Sequence, residues 1–215
     1  MKALSFIFCI FVLLFQWFLF FYAPLEKTLG VVQKIFYFHM PLAWWSFVAF
    51  FFVFVFSLLF LIKKDLNFFS LAGIFGEIGV LFSTLMLLTG IFWARASWNT
   101  WWTWDPRLTT AFIMWFSYTI YLMLKNSQYD KQRILASCLG IVAFLDVPLV
   151  FLAARLWRSI HPSVFSAKGG IDPKMEVVLF LSFIVWGILF SLLVFIRIRI
   201  LKTEEYVIKR VYESF

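Results

Sequence analysis

The sequence predicts an all-α integral membrane protein, a bundle of six transmembrane helices with a short tryptophan-rich helix or loop at one membrane surface. Of its 215 residues, 64% are hydrophobic and 23% are aromatic, which exceeds the usual composition of soluble domains. Six apolar runs approach the roughly 20 residues that a helix needs to cross a bilayer core. Because these runs leave little sequence for a soluble domain, residues 1–215 are interpreted as one membrane domain, with a basic tail at 199–215.

The predicted spans follow one another with short polar connections after the second and the fourth. They are Ala3–Tyr22, Met40–Ile62, Ser70–Trp93, Leu108–Leu124, Ile134–Ala154 and Met175–Ile196. The first run is longer than the apolar region of a signal peptide and lacks a small-x-small cleavage site, so it is interpreted as a retained helix. Cys9 and Cys138 both lie within apolar runs, where cysteine usually packs as a small hydrophobe.

The charges of the connections predict the orientation of the chain. Eleven Lys and Arg residues lie in the N-terminus, in the connections after spans two and four and in the tail, against eight on the opposite side. This excess favours cytoplasmic termini by the positive-inside rule. The eight outer cations oppose that bias, so either a bound anion retains some of them or they are ordinary solvated loop charges.

The two histidines of the chain are predicted to meet on one face. His39 follows span one, His161 follows span five, and the tryptophan-rich segment 93–107 follows span three, so in a six-span bundle all three share a side. A single histidine at a helix end is usually structural. Two beside an aromatic loop favour axial ligation of a haem iron over a structural zinc site, which requires four ligands. No C-x-x-C-H motif for covalent haem attachment occurs.

Tryptophans are concentrated on the histidine side. They are Trp44, Trp45, Trp93, Trp98, Trp101, Trp102, Trp104 and Trp157. A membrane belt would place them at both surfaces. Trp98, Trp101, Trp102 and Asp105 follow i, i+3, i+4, i+7 spacing, which predicts one face of a short interfacial helix. Such a face would form a flat apolar surface for a porphyrin. The candidates to bind its propionates are Arg95, Arg107, Arg155 and Arg158.

These segments resemble a known family. Trp98-Asn-Thr-Trp-Trp-Thr-Trp-Asp-Pro-Arg-Leu-Thr109 resembles the tryptophan-rich signature of the haem-handling proteins of bacterial cytochrome c maturation, and its Arg-Leu-Thr ending is similar to the CcmC branch. Val32-Gln-Lys-Ile before His39-Met-Pro is similar to the first haem-ligand region of that family, and Trp157-Arg-Ser-Ile-His161 to the second. Asn99 stands where the signature usually has Gly, and Pro106 stands where a small residue is common.

The resemblance implies a function. Haem b would be bound transiently by His39 and His161 at the periplasmic face of the bacterial inner membrane and passed to the haem chaperone CcmE. The implied haem contacts are the signature residues Trp98, Trp101, Trp102, Trp104, Asp105 and Arg107. Further implied partners are the ATP-binding-cassette subunits CcmA and CcmB and the small membrane protein CcmD, with no nucleic acid. The chain would be a delivery component and not an enzyme.

Two other functions are compatible with a haem site of this kind, that of a bis-His redox subunit that carries electrons and that of a permease that transports haem. Redox subunits usually hold their ligands within helices, whereas both histidines here are expected at loop edges. No chain of polar residues in the sequence connects the two sides of the bundle, which disfavours a permease. The related single-polypeptide maturation proteins usually carry more helices than are predicted here.

Two acidic residues lie within predicted spans. Glu77 is expected close enough to the cytoplasmic surface to be partly solvated. Asp146 is deeper and needs a partner or a proton, because an isolated charge at mid-depth is costly. Its partner is either a backbone group freed by a kink at Pro148 or a residue of the haem pocket that Asp146 supports from behind.

Overall fold

The computed structural model describes residues 2–27, 29–125, 129–157, 159–161 and 171–213, and it leaves the side chains of 2–9, 154–155 and 212 undescribed. Within these ranges the regular structure is helical, apart from one isolated β-bridge between Glu26 and Gly30. The elements are α1 (Lys2–Tyr22), the 3-10 helix η1 (Val31–Ile35), α2 (Phe36–Lys63), α3 (Leu66–Trp98), α4 (Pro106–Lys125), α5 (Asp130–Phe144), α6 (Asp146–Leu156) and α7 (Pro173–Glu213). The all-α class is therefore confirmed.

Four helical stretches of the described chain are long and apolar enough to cross a membrane. They are Val31–Lys63, Leu66–Trp98, Asp130–Ala153 and Pro173–Val211. The described apolar part of α1, Ile10–Tyr22, is shorter, and α4 is not among the four. The chain is thus a helical membrane protein, while the count of six spans stays a prediction.

Helices α2 and α3 form the centre of the bundle. Lys64, in the left-handed conformation, ends α2, and the Asp65 side chain caps α3 by accepting a hydrogen bond from the backbone N–H of Asn67 at 2.9 Å. This short turn makes the two helices antiparallel neighbours. The Phe50 ring packs where Gly79 has no side chain, since a Cβ there would lie 2.5 Å from that ring. Close approach of the two helices depends on this glycine.

The fifth predicted span is two helices. Pro148 has no N–H to donate to the carbonyl of Phe144, and α5 ends at Phe144. The N–H of Leu145 bonds to Val142 in a tighter turn before α6 begins at Asp146. The Asp146 carboxylate makes no hydrogen bond with the described residues, and its Oδ2 is buried. The bond to a backbone group freed by a proline kink is therefore not formed there.

An ion-pair cluster of Glu77, Lys125 and Arg197 joins three helices. Glu77 of α3 contacts Lys125 Nζ of α4 at 2.5 Å and Arg197 Nε of α7 at 2.8 Å. Glu77 is partly exposed, with 33% of its side chain accessible, in line with the expected partial solvation. The two cations from distant parts of the sequence that pair with its oxygens were not predicted. Gly73 makes room for this contact, since a Cβ there would lie 2.6 Å from Lys125 Nζ.

Helix α7 is much longer than a bilayer core is thick. Its 41 residues span about 60 Å at about 1.5 Å per residue, against a core of about 30 Å. The predicted basic tail is a continuation of this helix as far as Glu213.

The connections after α1, α3 and α6 meet at one end of the bundle, as predicted. The Trp93 ring of α3 lies 6.2 Å from the His39 ring of α2 and 6.3 Å from the His161 ring, measured between centroids. Lys174 at the start of α7 lies over the ring of Tyr22 at the end of α1. We call this the histidine end of the bundle.

Candidate functional site

The two histidines lie side by side at the histidine end. Their ring centroids are 6.4 Å apart, and the ring planes are inclined by 35°. His161 lies outside the helices, after the end of α6, as predicted. His39, predicted at a loop edge, lies instead in the first turn of α2, which continues directly from η1. Helical structure before His39 holds its ring more rigidly than a loop would.

The hydrogen bonds of His39 determine which of its two ring nitrogens is available to bind a metal. Nδ1 lies 3.1 Å from the carbonyl oxygen of Met86 and 3.1 Å from the hydroxyl of Thr89. A carbonyl only accepts, so Nδ1 carries the proton that is donated to it. In the neutral ring Nε2 then keeps its lone pair, which is the arrangement of a metal-binding imidazole oriented by a partner on its other nitrogen.

The partners of His39 on α3 were not predicted from the sequence. A Cβ on Gly90 would lie 3.1 Å from His39 Cε1, so this glycine leaves room for the ring. Thr89 is polar and Gly90 is small, and both lie near the histidine end of an apolar run. This contrast with the run is the local sequence signal that marks them. Their contact with His39 joins residues about 50 positions apart.

A cavity opens beside the histidine pair. Its interior has a volume of about 80 Å³, and further space lies at its open mouth. Helices α2, α3, α4 and α6 and the tryptophan-rich segment form its walls. Its lining includes the polar and aromatic residues His39, Trp98, Trp101, Trp102, Arg107 and His161 and the apolar residues Phe47, Met86, Ala111 and Val150.

The tryptophan-rich segment is not the predicted interfacial helix. Helix α3 ends at Trp98, and Asn99 adopts a left-handed conformation with φ of 57°, which asparagine tolerates better than most residues. Arg95 secures this turn by donating to the Asn99 carbonyl oxygen at 2.7 Å and to its side-chain oxygen at 2.8 Å. Residues 99–105 then run without helix to α4. The i, i+3, i+4, i+7 spacing predicts a helix, but it does not indicate the left-handed residue that ends α3.

The tryptophans of the segment divide into two groups. Trp98, Trp101 and Trp102 line the cavity, as expected of residues that form an aromatic wall. Trp104 does not line it and is 75% exposed, with its ring against the edge of Trp102. Trp93 and Trp102 carry buried ring N–H groups without a hydrogen-bond partner among the described residues. Two residues that line the cavity thus carry a ring N–H without an acceptor in the described part of the chain.

Of the arginines proposed to bind an anion, Arg107 is the best placed. Its side chain lines the cavity, and no carboxylate of the described residues lies within ion-pairing distance of its guanidinium. Burial lowers the pKa of Arg107, although the charge of Asp105 acts in the opposite direction. Arg95 is engaged by Asn99 and lies over the Trp101 ring. Arg158 and the side chain of Arg155 lie outside the described residues.

Asp105 lies at the junction of α4 and the His161 segment. It is buried, with 8% of its surface exposed. It accepts hydrogen bonds from the Arg107 backbone N–H, the Ser159 hydroxyl and the Ile160 backbone N–H. Asp105 therefore binds donors of α4 and donors of the segment before His161, and it does not line the cavity.

The histidine pair offers a metal ion two nitrogens. Among the described residues, no group of three or more His, Cys, Asp or Glu side chains is placed to hold a metal ion. This part of the chain therefore suits an ion that already carries other ligands.

Fold and site together define a class of protein, a helical membrane protein in which an aromatic, cation-bearing cavity brings two imidazoles together. The chain belongs to the heme exporter protein C (CcmC) family, whose family model matches residues 1–213. The resemblance carried by the tryptophan-rich segment and the two histidine regions is thereby confirmed.

Curated relatives share this similarity over most of the chain. Heme exporter protein C of Rhodobacter capsulatus is 30% identical over 84% of this chain and 77% of its own length, and that of Escherichia coli K12 is 28% identical over 83% and 74%. A putative cytochrome c biosynthesis ccmC-like mitochondrial protein of Arabidopsis thaliana is 34% identical over 65% of this chain. The matched part spans about half, 53%, of the Arabidopsis relative.

Proposed function

We propose that this protein binds haem b between His39 and His161 and delivers it for the biogenesis of c-type cytochromes. The observation that carries the proposal is the 6.4 Å separation of the two ring centroids. An imidazole nitrogen lies about 2 Å from a bound transition metal, so two rings on opposite sides of one ion have centres about 6 Å apart. The separation therefore suits an iron held between two axial imidazoles.

The surroundings of the pair suit a porphyrin. Its four nitrogens supply the ligands that two histidines leave vacant, and the aromatic side chains of Trp98, Trp101 and Trp102 match its flat apolar faces. Arg107 and the ring N–H groups of Trp93 and Trp102 would bind the propionates. Haem is cargo here, and the chain contributes its ligation and orientation.

Delivery is supported by family membership and by the position of the site. The matched relatives are named for haem export and cytochrome c biosynthesis, and Trp101, which lines the cavity, is exposed. We propose CcmE as the acceptor, CcmA, CcmB and CcmD as partners, and a non-enzymatic role. Haem transfer from the purified protein to CcmE tests this step, and retention of all haem in the presence of CcmE would contradict it.

The proposed location is the bacterial inner membrane, with one domain over residues 1–215, cytoplasmic termini and the histidine end in the periplasm. Charge asymmetry supports this orientation. Reporter fusions at Lys125 and after Phe215 should report the cytoplasm. A periplasmic signal at either position would contradict the six-span arrangement.

Haem spectroscopy of the purified protein tests the site directly. Absorption and electron paramagnetic resonance spectra should show a low-spin haem with two imidazole ligands at a stoichiometry of one haem per chain. A protein that binds no haem, or binds it with one protein ligand, would contradict the proposal.

A bis-His redox subunit is the second candidate, and the position of His39 inside a helix favours it. His161, outside the helices, favours a site that releases its haem. The two functions differ in exchange: a redox subunit keeps its haem in the presence of apo-CcmE, whereas a delivery protein loses it.

A further inference from the structure

The Asp105 carboxylate joins the tryptophan-rich segment to the segment that carries His161. Oδ1 accepts from the Ser159 hydroxyl at 2.9 Å and from the Arg107 N–H at 3.0 Å, and Oδ2 accepts from the Ile160 N–H at 2.8 Å. The first and third of these bonds cross between residues more than 50 positions apart. They bring the start of α4 and the residues before His161 together.

The network continues to the backbone of His161. Ser159 donates its hydroxyl proton to Asp105 and accepts a hydrogen bond from the His161 N–H at 3.1 Å. Residues 159–161 belong to no helix, so no helical hydrogen bonds fix their backbone. Asp105 therefore supplies buried acceptors that hold this segment beside the cavity.

We propose that Asp105 is a positioning residue, which holds His161 where its imidazole can ligate the iron and does not itself contact haem. This inference rests on the proposed bis-His site. A carboxylate suits the task because it only accepts and has sites for three donors, and because hydrogen bonds to a charged acceptor are strong. Both oxygens of Asp105 already accept from protein donors, and Asp105 does not line the cavity in which the porphyrin would lie.

The test compares Asp105→Asn, Asp105→Ala and Ser159→Ala with His161→Ala at equal protein level. Asn replaces one acceptor with a donor, and Ala removes both. Partners behind a metal ligand typically contribute about 10- to 100-fold to metal affinity, so haem binding should weaken by that factor in the Asp105 variants and by less in Ser159→Ala. The low-spin signal should change toward the single-imidazole spectrum of His161→Ala.

Added imidazole distinguishes positioning from general damage to the site. If only His161 is displaced, His39 still binds the iron, and imidazole should restore the low-spin spectrum in Asp105→Asn and in His161→Ala alike. The matched control is Asp65→Asn, which alters another helix-capping aspartate that is remote from both histidines. It should keep the wild-type haem spectrum.

The possible results separate this inference from the function on which it rests. A wild-type protein without a bis-imidazole spectrum would contradict the proposed function. A normal wild-type spectrum that is retained in the Asp105 variants, or lost in them without rescue by imidazole, would overturn the positioning role alone. If the Asp105 variants do not insert, Ser159→Ala decides: a shift toward the His161→Ala spectrum supports the role, and an unchanged spectrum overturns it.

Discussion

The ion-pair cluster and the histidine end use their charged groups in opposite ways. In the cluster, both oxygens of Glu77 are paired, with Lys125 at 2.5 Å and with Arg197 at 2.8 Å, so one carboxylate and two cations join three helices. At the histidine end, Arg107 faces a cavity without a paired carboxylate among the described residues, and His39 bonds through one nitrogen while the other stays available.

The difference separates groups that hold the fold from groups that bind a ligand. A buried charge without a partner is costly, and so is a buried donor without an acceptor. Polar groups left open beside a cavity therefore indicate a ligand that completes them. The comparison predicts that changes at the histidine end alter haem binding, whereas changes in the ion-pair cluster alter stability alone.

The largest effect is expected at the two histidines. His39→Ala and His161→Ala should each remove one axial ligand, abolish the bis-imidazole spectrum and weaken haem binding by more than about 100-fold, beyond the effect of an outer partner. Spectra at matched protein level measure this. His39 also forms hydrogen bonds to α3, so Thr89→Val serves as a control for the loss of such a bond. In this variant the Met86 carbonyl remains as an acceptor for His39, and haem ligation should persist. Unchanged spectra in both histidine variants would exclude them as ligands.

The next effect is expected at Arg107. Arg107→Gln should weaken haem binding about tenfold, since a hydrogen bond to a charged group contributes about 1.5 kcal/mol or more. Haem with esterified propionates should bind wild type and variant equally, which identifies the propionates as the group recognised. Arg95→Gln is the control because Arg95 is engaged by Asn99. A tenfold loss in that variant too would show that the effect is not specific to Arg107.

A smaller effect is expected at the tryptophans. Trp98→Ala and Trp102→Ala should weaken haem retention about two- to tenfold, in line with about 0.5–1.5 kcal/mol for an aromatic pair. Trp17, which is 64% exposed on α1, and Trp104 are the matched controls. Trp186 packs against Phe82 and Phe38, so a change there should lower stability. Equal haem losses at all these positions would mean that the aromatic wall is only a membrane belt.

Features that depend on local sequence were predictable. Apolar runs of this length predict helices. Connections after odd-numbered spans lie on one side of the membrane, so the sequence also predicts that His39 and His161 share one end of the bundle. Pro148 explains why a break occurs between α5 and α6. The position of the break, at Leu145, depends on the hydrogen bonds of the preceding turn.

Features that depend on distant contacts or on one backbone angle were not predictable. Glu77 is 48 residues from Lys125 and 120 from Arg197, and no local pattern connects them. The tryptophan spacing fits a helix, but the left-handed Asn99 ends α3 before that helix can form. The bonds of Asp105 to Ser159 and Ile160 likewise join elements that only the folded chain brings together.

The smallest effect on haem is expected in the ion-pair cluster. Glu77→Gln leaves Lys125 without a carboxylate partner and Arg197 with only the more distant Glu204, at 3.8 Å, which should lower the free energy of unfolding by about 2 kcal/mol. Thermal or denaturant unfolding in detergent measures this change. Haem affinity and the bis-imidazole spectrum of the folded fraction should match wild type, because neither His39 nor Arg107 contacts this cluster.

A more exposed ion pair provides a comparison for the size of that loss of stability. Arg133 pairs with the largely exposed Asp130 at 3.0 Å, and exposed pairs contribute about 1 kcal/mol or less. Arg133→Gln should therefore lower stability less than Glu77→Gln does. Glu77→Gln combined with Lys125→Met should recover part of the loss, since it removes the cation that Glu77→Gln leaves without a carboxylate partner. If Glu77→Gln instead weakened haem binding in the folded fraction, the cluster and the histidine end would be coupled, and the division between a fold-holding end and a ligand-binding end would be wrong.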